Sequence, residues 1–334
     1  MKAKYEIPYQ YKKENRTRLS EAIPLKSPLS MQIETASACN FKCKFCIHGN
    51  QELIKDKRFK LGVMSFELFK KIVNSMHEFP QKLNYVSLHA RGEPLLNPNI
   101  VEMVKYIKQE NVAKEVSFNT NGVLLTDNIS LGLINAGLDC IRFSIEGINS
   151  EAYMRNSGVD IDFQKLVNNI RFFFERKKNC YTYIKIINCD LSEVEKEKFY
   201  GIFGDICDNI CIENITDTWK DAGLNNEKYM QLSRFNENFV KGKVCPRLFF
   251  ACQVRFDGTV TTCDSDWNEL YPLGNVYNET LLQIWTGQKF NELRKKHLTN
   301  NINDMKMCIN CSNLLMSESD YIDGCADTLL KYFI

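Results

Sequence analysis

The sequence predicts an α/β fold: a partial, six-unit (β/α)6 barrel followed by a small C-terminal domain of a β-hairpin plus helix. Three observations predict it. Strand-like and helix-like stretches alternate between about residues 30 and 220, the mark of a parallel sheet with helical crossovers. That stretch is too short for a closed eight-unit barrel. Beyond about residue 243 the alternation stops and a hairpin signal takes over. The expected division is an N-terminal extension at 1–30, the barrel at 31–223, a linker at 224–243 and the C-terminal domain at 244–334.

Each element follows from its local pattern. Residues 31–35 read as the first strand, which runs into a cysteine-rich loop. Phe66, Phe69, Ile72, Val73 and Met76 recur at helical spacing. Residues 83–90 are the second strand, with Ile100, Val104 and Ile107 on its helix. Residues 115–119 are the third strand; a helix at 131–136 follows, with Gly137 as its stop. Residues 140–145 are the fourth strand, and Phe163, Leu166, Val167, Ile170 and Phe173 mark the next helix. Residues 181–187 are the fifth strand; Ser192 and Glu195 then form a capping box. Residues 210–215 are the sixth. Residues 249–256 and 259–262 flank an Asp257-Gly258 turn. A helix carrying Leu281, Ile284, Trp285, Phe290 and Leu293 comes next.

Bulk composition narrows the class. The 334 residues can bury a large core, and 44% hydrophobic with 25% charged residues is ordinary for a soluble globular protein. A net charge of +2 gives no reason to expect nucleic acid or a charged membrane as partner. The N-terminus is polar, and no apolar run is long enough to span a bilayer. A cytoplasmic location is therefore expected. Fourteen cysteines are many for such a chain. Reduced compartments disfavour disulfides, so clustered cysteines there point to metal.

The cysteines form two groups. Cys39, Cys43 and Cys46 have the spacing C-x3-C-x2-C. Three thiolates can hold a four-iron cluster and leave one iron open to a small molecule. The loops after the strands, where parallel β/α barrels carry reactive groups, hold the other unusual residues. They are Arg91-Gly92-Glu93-Pro94, Asn119-Thr120-Asn121-Gly122, Ser144-Ile145-Glu146-Gly147, Asn188, and Asp217 with Trp219. A carboxylate and nearby carbonyls can accept from an ammonium, and glycine lets backbone approach closely. Each of these motifs alone also reads as a plain turn.

The cysteine triad, with Phe45 before its third member, resembles the signature of the radical S-adenosylmethionine (SAM) superfamily. That resemblance implies a TIM-like partial barrel, with SAM on the open iron. It assigns SAM-binding roles to Gly92, Glu93, Pro94, Asn121, Ser144 and Arg155. Arg155 would pair with the SAM carboxylate, where a guanidinium fork suits the geometry; its plainer reading is a surface charge.

The second group comprises Cys245, Cys252, Cys263, Cys308 and Cys311. With Gly258-x4-Cys263 and Cys308-x2-Cys311 it resembles the SPASM/Twitch extension of that superfamily. Residues 273–276 and 282–285 are similar to it as well. The full pattern would put another cysteine at position 317, which is serine. One auxiliary four-iron cluster on Cys245, Cys263, Cys308 and Cys311 is the implied count. Cys252 is a rival ligand, Cys325 is out of register, and tetrahedral zinc is the alternative metal. The remaining cysteines (140, 180, 189, 207, 211, 325) read as buried free thiols. The four histidines (48, 77, 89, 297) share no spacing, and His89, ending the second strand, reads most simply as structural.

The resemblance implies an oxidoreductase that cleaves SAM and takes hydrogen from a small polar substrate such as a sugar or aminocyclitol. The auxiliary cluster would accept an electron, and a donor such as flavodoxin or ferredoxin would supply the first one. Asp217, Glu146, Asp264 and Arg155 are candidates for the base. A peptide-modifying enzyme and a non-catalytic metal-binding protein are the alternatives.

Overall fold

The computed structural model describes residues 3–9, 12, 15–56, 59–216, 218–219, 234–235, 240–309 and 311–333. Six strands follow the sequence in order: β1 (Ser30–Ile33), β2 (Leu83–Ser87), β3 (Ala113–Thr120), β4 (Cys140–Ile145), β5 (Tyr181–Ile187) and β6 (Asn209–Glu213). Each pairs in parallel with the next. Met31 lies opposite Val86, Val86 opposite Val116, Phe118 opposite Ile141, and Ile184 opposite Ile210. These residues are all buried. Their alternate neighbours, including Gln32, Ser87, Ser117, Arg142 and Lys185, are polar and line a cavity instead. The period-two pleat thus gives the sheet an apolar outer face and a polar inner one.

Helices cover the outer face. A short α1 (Leu19–Ala22) precedes the sheet, and α2 (Gln51–Lys55) and α3 (Phe66–Ser75) follow β1. Then come α4 (Ile100–Glu110), α5 (Asp127–Ala136), α6 (Ser150–Ser157), α7 (Phe163–Arg176) and α8 (Glu193–Phe203). Their starts are set by side-chain caps. Ser65, Thr126 and Asp162 accept the N–H groups of Leu68, Ile129 and Lys165. The Ser192–Glu195 capping box forms as the sequence indicated. Gly137 ends α5 at φ 82°, a left-handed value that favours glycine. The inward stripes, such as Leu166, Val167, Ile170 and Phe173, are buried. Burial of each such side chain contributes roughly 1.5–3 kcal/mol.

The C-terminal part begins with β7 (Val240–Lys241), α9 (Arg247–Phe250), β8 (Ala251–Val254), β9 (Thr259–Thr261) and β10 (Gly274–Asn275). It ends with α10 (Leu281–Thr286), α11 (Gln288–Leu298), β11 (Leu315–Met316) and α12 (Ala326–Leu330). The hairpin forms at Asp257-Gly258, with Gly258 at φ 83°. It also extends the barrel sheet: β8 lies parallel to β1, with Met31 opposite Cys252 and Gln32 opposite Gln253. Among the described residues the sheet therefore has nine strands.

Three sequence expectations need adjustment. The first hairpin strand begins at Ala251, because residues 247–250 turn helically. The helix expected through Leu281 and Leu293 is two helices. Gly287 between them is extended (φ −72°, ψ 167°), where a Cβ would crowd the Gln283 carbonyl. Most of the expected linker at 224–243 lies outside the described residues, but Val240–Lys241 pairs with Leu315–Met316. The N-terminal extension has a role too. Lys4 N–H donates to Asp208 O at 3.0 Å and Lys4 O accepts from Ile210 N–H at 3.0 Å, covering the outer edge of β6. No described helix is long and apolar enough to cross a membrane.

Candidate active site

A cavity of about 610 Å3 opens on the polar face of the sheet. Cys39, Cys43 and Cys46 line it together, on the loop that follows β1. That loop is tied down by its backbone. Lys42 and Lys44 N–H donate to Ser157 O and Asn156 O on α6, each at 2.9 Å, and Cys46 N–H donates to Cys43 O at 2.9 Å. Phe41 is buried and meets Tyr153 edge-on at 5.9 Å. A Cβ on Gly92 would overlap the carbonyl oxygens of Ala36 and Ala38, so only glycine lets the 92–94 turn close on the cysteine loop.

Burial pushes all three thiols up, Cys46 to about 12. Their mutual repulsion and the charge of Glu146 add to this for Cys43. Three buried thiols of this kind become thiolates only beside strong positive charge, which a metal centre supplies. Among the described residues, no three His, Cys, Asp or Glu side chains close around a single-ion point. Three thiolates on one loop are a donor set that can hold a four-iron cluster with one iron left open.

Glu93 is buried, and burial raises its carboxyl to about 7. Three donors oppose that rise: Thr120 Oγ1 at 2.6 Å, Asn121 N–H at 2.8 Å and Leu95 N–H at 3.0 Å. The carboxylate is thus held by the loop after β3. Asn121 in turn donates to Asn40 at 2.8 Å, joining that loop to the cysteine loop.

Arg91 lies beneath this turn. It grips Glu34 through Nε at 2.6 Å and Nη2 at 2.8 Å, and donates to Trp267 O at 2.6 Å. Arg255 reaches the same carboxylate at 3.4 Å. All three side chains are fully buried. Burial would raise the Glu34 carboxyl, but the bond and charge of Arg91, with the charge of Arg255, hold it below the usual range.

Cys245, Cys263, Cys308 and Cys311 surround a second, small void. Each of Cys245 and Cys308 is raised by burial and by the charge of its neighbours, Cys245 to about 12. Cys252 and Cys325 do not line that void. Cys252 is buried on the helix side of β8, near Arg294; Cys325 donates to Ile322 O at 3.2 Å. Arg247 lines both the large cavity and the four-thiol void. Its Nη2 donates to Gln32 Oε1 at 2.8 Å.

Of the remaining residues singled out from the sequence, Gly92, Glu93, Asn121, Ser144, Glu146 and Asp264 reach the large cavity. Pro94 is buried behind it, at the start of the turn that follows Glu93. Glu146 stands against Cys43, and burial raises it to about 7 although Lys185 pulls it down. Asp264 accepts from Gln32 at 3.3 Å and from Gln253. Burial acts against its charge, but Arg247 and Arg255 keep its carboxyl low. Arg155 does not line the cavity: its side chain is 56% exposed and pairs with Glu195 at 3.3 Å. Asp217 lies outside the described residues. Sequence reading missed Gln32, Arg142, Lys185, Glu213 and Arg247. Polar residues at alternate strand positions, such as Arg142 with Ser144 and Tyr183 with Lys185, were the available signal.

Comparison with known proteins places these features. The Radical SAM superfamily profile matches residues 33–196, and the SPASM profile, an iron–sulfur cluster-binding domain, matches 245–312. The chain is 33% identical over 116 residues to the tungsten-containing aldehyde ferredoxin oxidoreductase cofactor-modifying protein of Pyrococcus furiosus, covering 35% of this chain and 30% of that one. It is 34% identical over 126 residues to a probable GTP 3',8-cyclase of Methanococcus maripaludis, covering 38% and 39%. The matches therefore span well under half of these relatives. Among solved structures, BtrN in complex with AdoMet and 2-DOIA superposes with a TM-score of 0.55 at 21% identity, over 88% of this chain and 97% of that one. Streptococcus suis SuiB bound to precursor peptide SuiA gives 0.64 at 15% identity, over 83% and 69%. anSMEcpe with bound AdoMet gives 0.58 at 18%, over 92% and 99%. These likenesses establish the shared fold.

Proposed function

Because this chain belongs to the radical SAM superfamily and carries a SPASM domain, we propose that it is a radical SAM oxidoreductase acting on a small polar substrate. One observation carries the reading: one cavity, lined by both polar and apolar side chains, touches the cysteine triad and, through Arg247, adjoins the four-thiol void. Such a layout suits hydrogen abstraction at one end and electron acceptance at the other. A cavity of about 610 Å3 that must also seat SAM leaves room for a small molecule. A ligand of the kind in the BtrN complex, 2-DOIA, is the size class we propose.

Cys39, Cys43 and Cys46 would hold the SAM-binding four-iron cluster, and Cys245, Cys263, Cys308 and Cys311 one auxiliary cluster. When bound, these clusters and SAM supply a 5′-deoxyadenosyl radical and an electron acceptor. The chain's own residues do the positioning. Gly92, Glu93, Pro94, Asn121 and Ser144 shape the SAM end. Asp264, kept anionic by Arg247 and Arg255, is the proposed acceptor of the proton that an alcohol loses on becoming a ketone. A low-potential donor such as flavodoxin or ferredoxin is the proposed reductant.

The test is anaerobic turnover with SAM, reductant and a panel of deuterated aminocyclitols, amino sugars and short peptides. Release of 5′-deoxyadenosine carrying label from a cyclitol or sugar is the expected result. Label from a peptide alone would replace the small-substrate reading with a maturase. No 5′-deoxyadenosine at all would remove the enzymatic reading.

A further inference from the structure

We propose that His89 is a fixed, neutral hydrogen-bond donor that reads an acceptor oxygen on the substrate. The inference deepens the small-polar-substrate reading above and rests on it for the identity of the group read. His89 follows β2 and lines the large cavity. Its Nδ1 receives the Asn119 backbone N–H at 3.2 Å and lies 2.7 Å from Ser87 Oγ. A backbone N–H can only donate, so Nδ1 must present a lone pair. The ring's single proton is then on Nε2.

Nε2 lies on the opposite edge of the ring from these strand-side partners. Among the described residues it meets no protein hydrogen-bond partner. It is therefore a donor turned toward the cavity with no acceptor assigned. Protonating Nδ1 would set two donors, N–H against N–H, face to face. The surroundings reinforce neutrality: burial, with the charges of Arg142 and Lys185, lowers the imidazole to about 3 against the opposing charge of Asp264. Those three, with the Asn119 and Ser87 partners, are the charged and hydrogen-bonding groups found to act on the ring among the described residues.

The chemistry this donor recognises is an oxygen lone pair. A hydroxyl between the two groups can accept from His89 and donate toward Asp264. When that hydroxyl becomes a carbonyl it loses its donor and keeps its acceptor. A donor-only partner suits both states, and it favours the more electron-rich oxygen that develops between them. An ammonium facing Nε2–H has no lone pair to offer and is disfavoured. His89 thus selects a carbon bearing oxygen, rather than nitrogen, for reaction.

Two measurements test this. In 15N-histidine-labelled, reconstituted and oxidised holoprotein, only four histidines contribute signals, and His89→Gln identifies the one that disappears. The expected signal is the Nε2–H tautomer, unchanged between pH 5.5 and 8.5 (about the range over which an ordinary imidazole titrates). An Nδ1–H tautomer, or titration near 6.5, overturns the proposal whatever the substrate. The second measurement is the fraction of 5′-deoxyadenosine that carries label from deuterated aminocyclitols. His89→Ala should lower that fraction about tenfold, and His89→Gln, whose amide still donates, should restore part of it. An unchanged fraction in His89→Ala overturns the proposal. If the wild type releases only unlabelled 5′-deoxyadenosine with every cyclitol and sugar, the substrate reading falls, and the tautomer still decides whether His89 is the fixed donor.

Discussion

Cys252 and Gln253 are neighbours on β8, yet they face opposite sides of the sheet. Gln253 donates to Asp264 on the cavity side, so Cys252 must point toward the helices, where Arg294 lies nearby. Spacing alone leaves Cys252 a plausible ligand; the pleat removes it from the four-thiol void. Cys263→Ala should therefore lose about half of roughly eight irons per chain, while Cys252→Ala keeps them all and costs only about 1 kcal/mol of stability. Iron and sulfide assays on anaerobically reconstituted variants check this; equal losses would return Cys252 to the ligand set. His48 offers a second prediction. Its Nε2–H donates to Arg91 O at 3.0 Å, pinning the 91–94 turn to the cysteine loop. Burial lowers its imidazole to about 4. The unfolded chain takes up that proton near 6.5, the folded one only near 4. Stability is thus full above pH 6.5 and falls as the pH drops toward 4, by about 2 kcal/mol at pH 5. His48→Gln should flatten that slope between pH 7 and 5 in denaturant melts; an identical slope would mean another group causes it.

Three strand ends meet at one buried carboxylate. Glu34 follows β1, Arg91 follows β2 and Arg255 follows β8. Pairing one anion with two arginines at zero exposure joins the ends of the first two barrel strands to the C-terminal hairpin. Buried charges are costly once their partner is lost. Glu34→Gln takes away the carboxylate the two guanidiniums share, leaving Arg91 only the longer pair with Glu269 at 3.9 Å, and should cost about 3 kcal/mol in urea unfolding. Lys296→Ala, which breaks a bridge to Asp304 between two exposed side chains, should cost no more than about 1 kcal/mol. Similar costs for the two would show that the triad is not the joint between these elements. Sequence patterns revealed each strand here, but not their meeting. Arg91 read only as the residue before Gly92, because a charge pair across more than fifty positions leaves no local periodicity.

At the scale of the molecule, what was legible was what repeats locally. Outer-face residues such as Ile141, Phe143 and Ile184 and helix stripes such as Leu166 to Phe173 announced the barrel. Cysteine spacing and the residues at strand ends announced the cavity wall. What escaped depends on pairing between distant segments: Lys4 against β6, and β8 against β1. Residues 251–254 read equally well as a hairpin strand standing alone, since nothing in their local pattern names β1 as a partner. The pairing changes what the two profile-matched segments mean physically. An edge strand with unpaired backbone is a template for aggregation, and β8 is what covers the free edge of β1. The barrel and the cysteine-rich C-terminal part then share one sheet and one buried ion triad, and should unfold together. A chain ending at residue 223 would expose the Ser30–Ile33 edge and deprive Glu34 of Arg255. It should aggregate on size-exclusion chromatography, even with the cysteine triad intact. A monomeric 1–223 fragment with native-like far-UV circular dichroism and a sharp melt would show instead that the barrel is an independent folding unit, with the hairpin only resting against its edge.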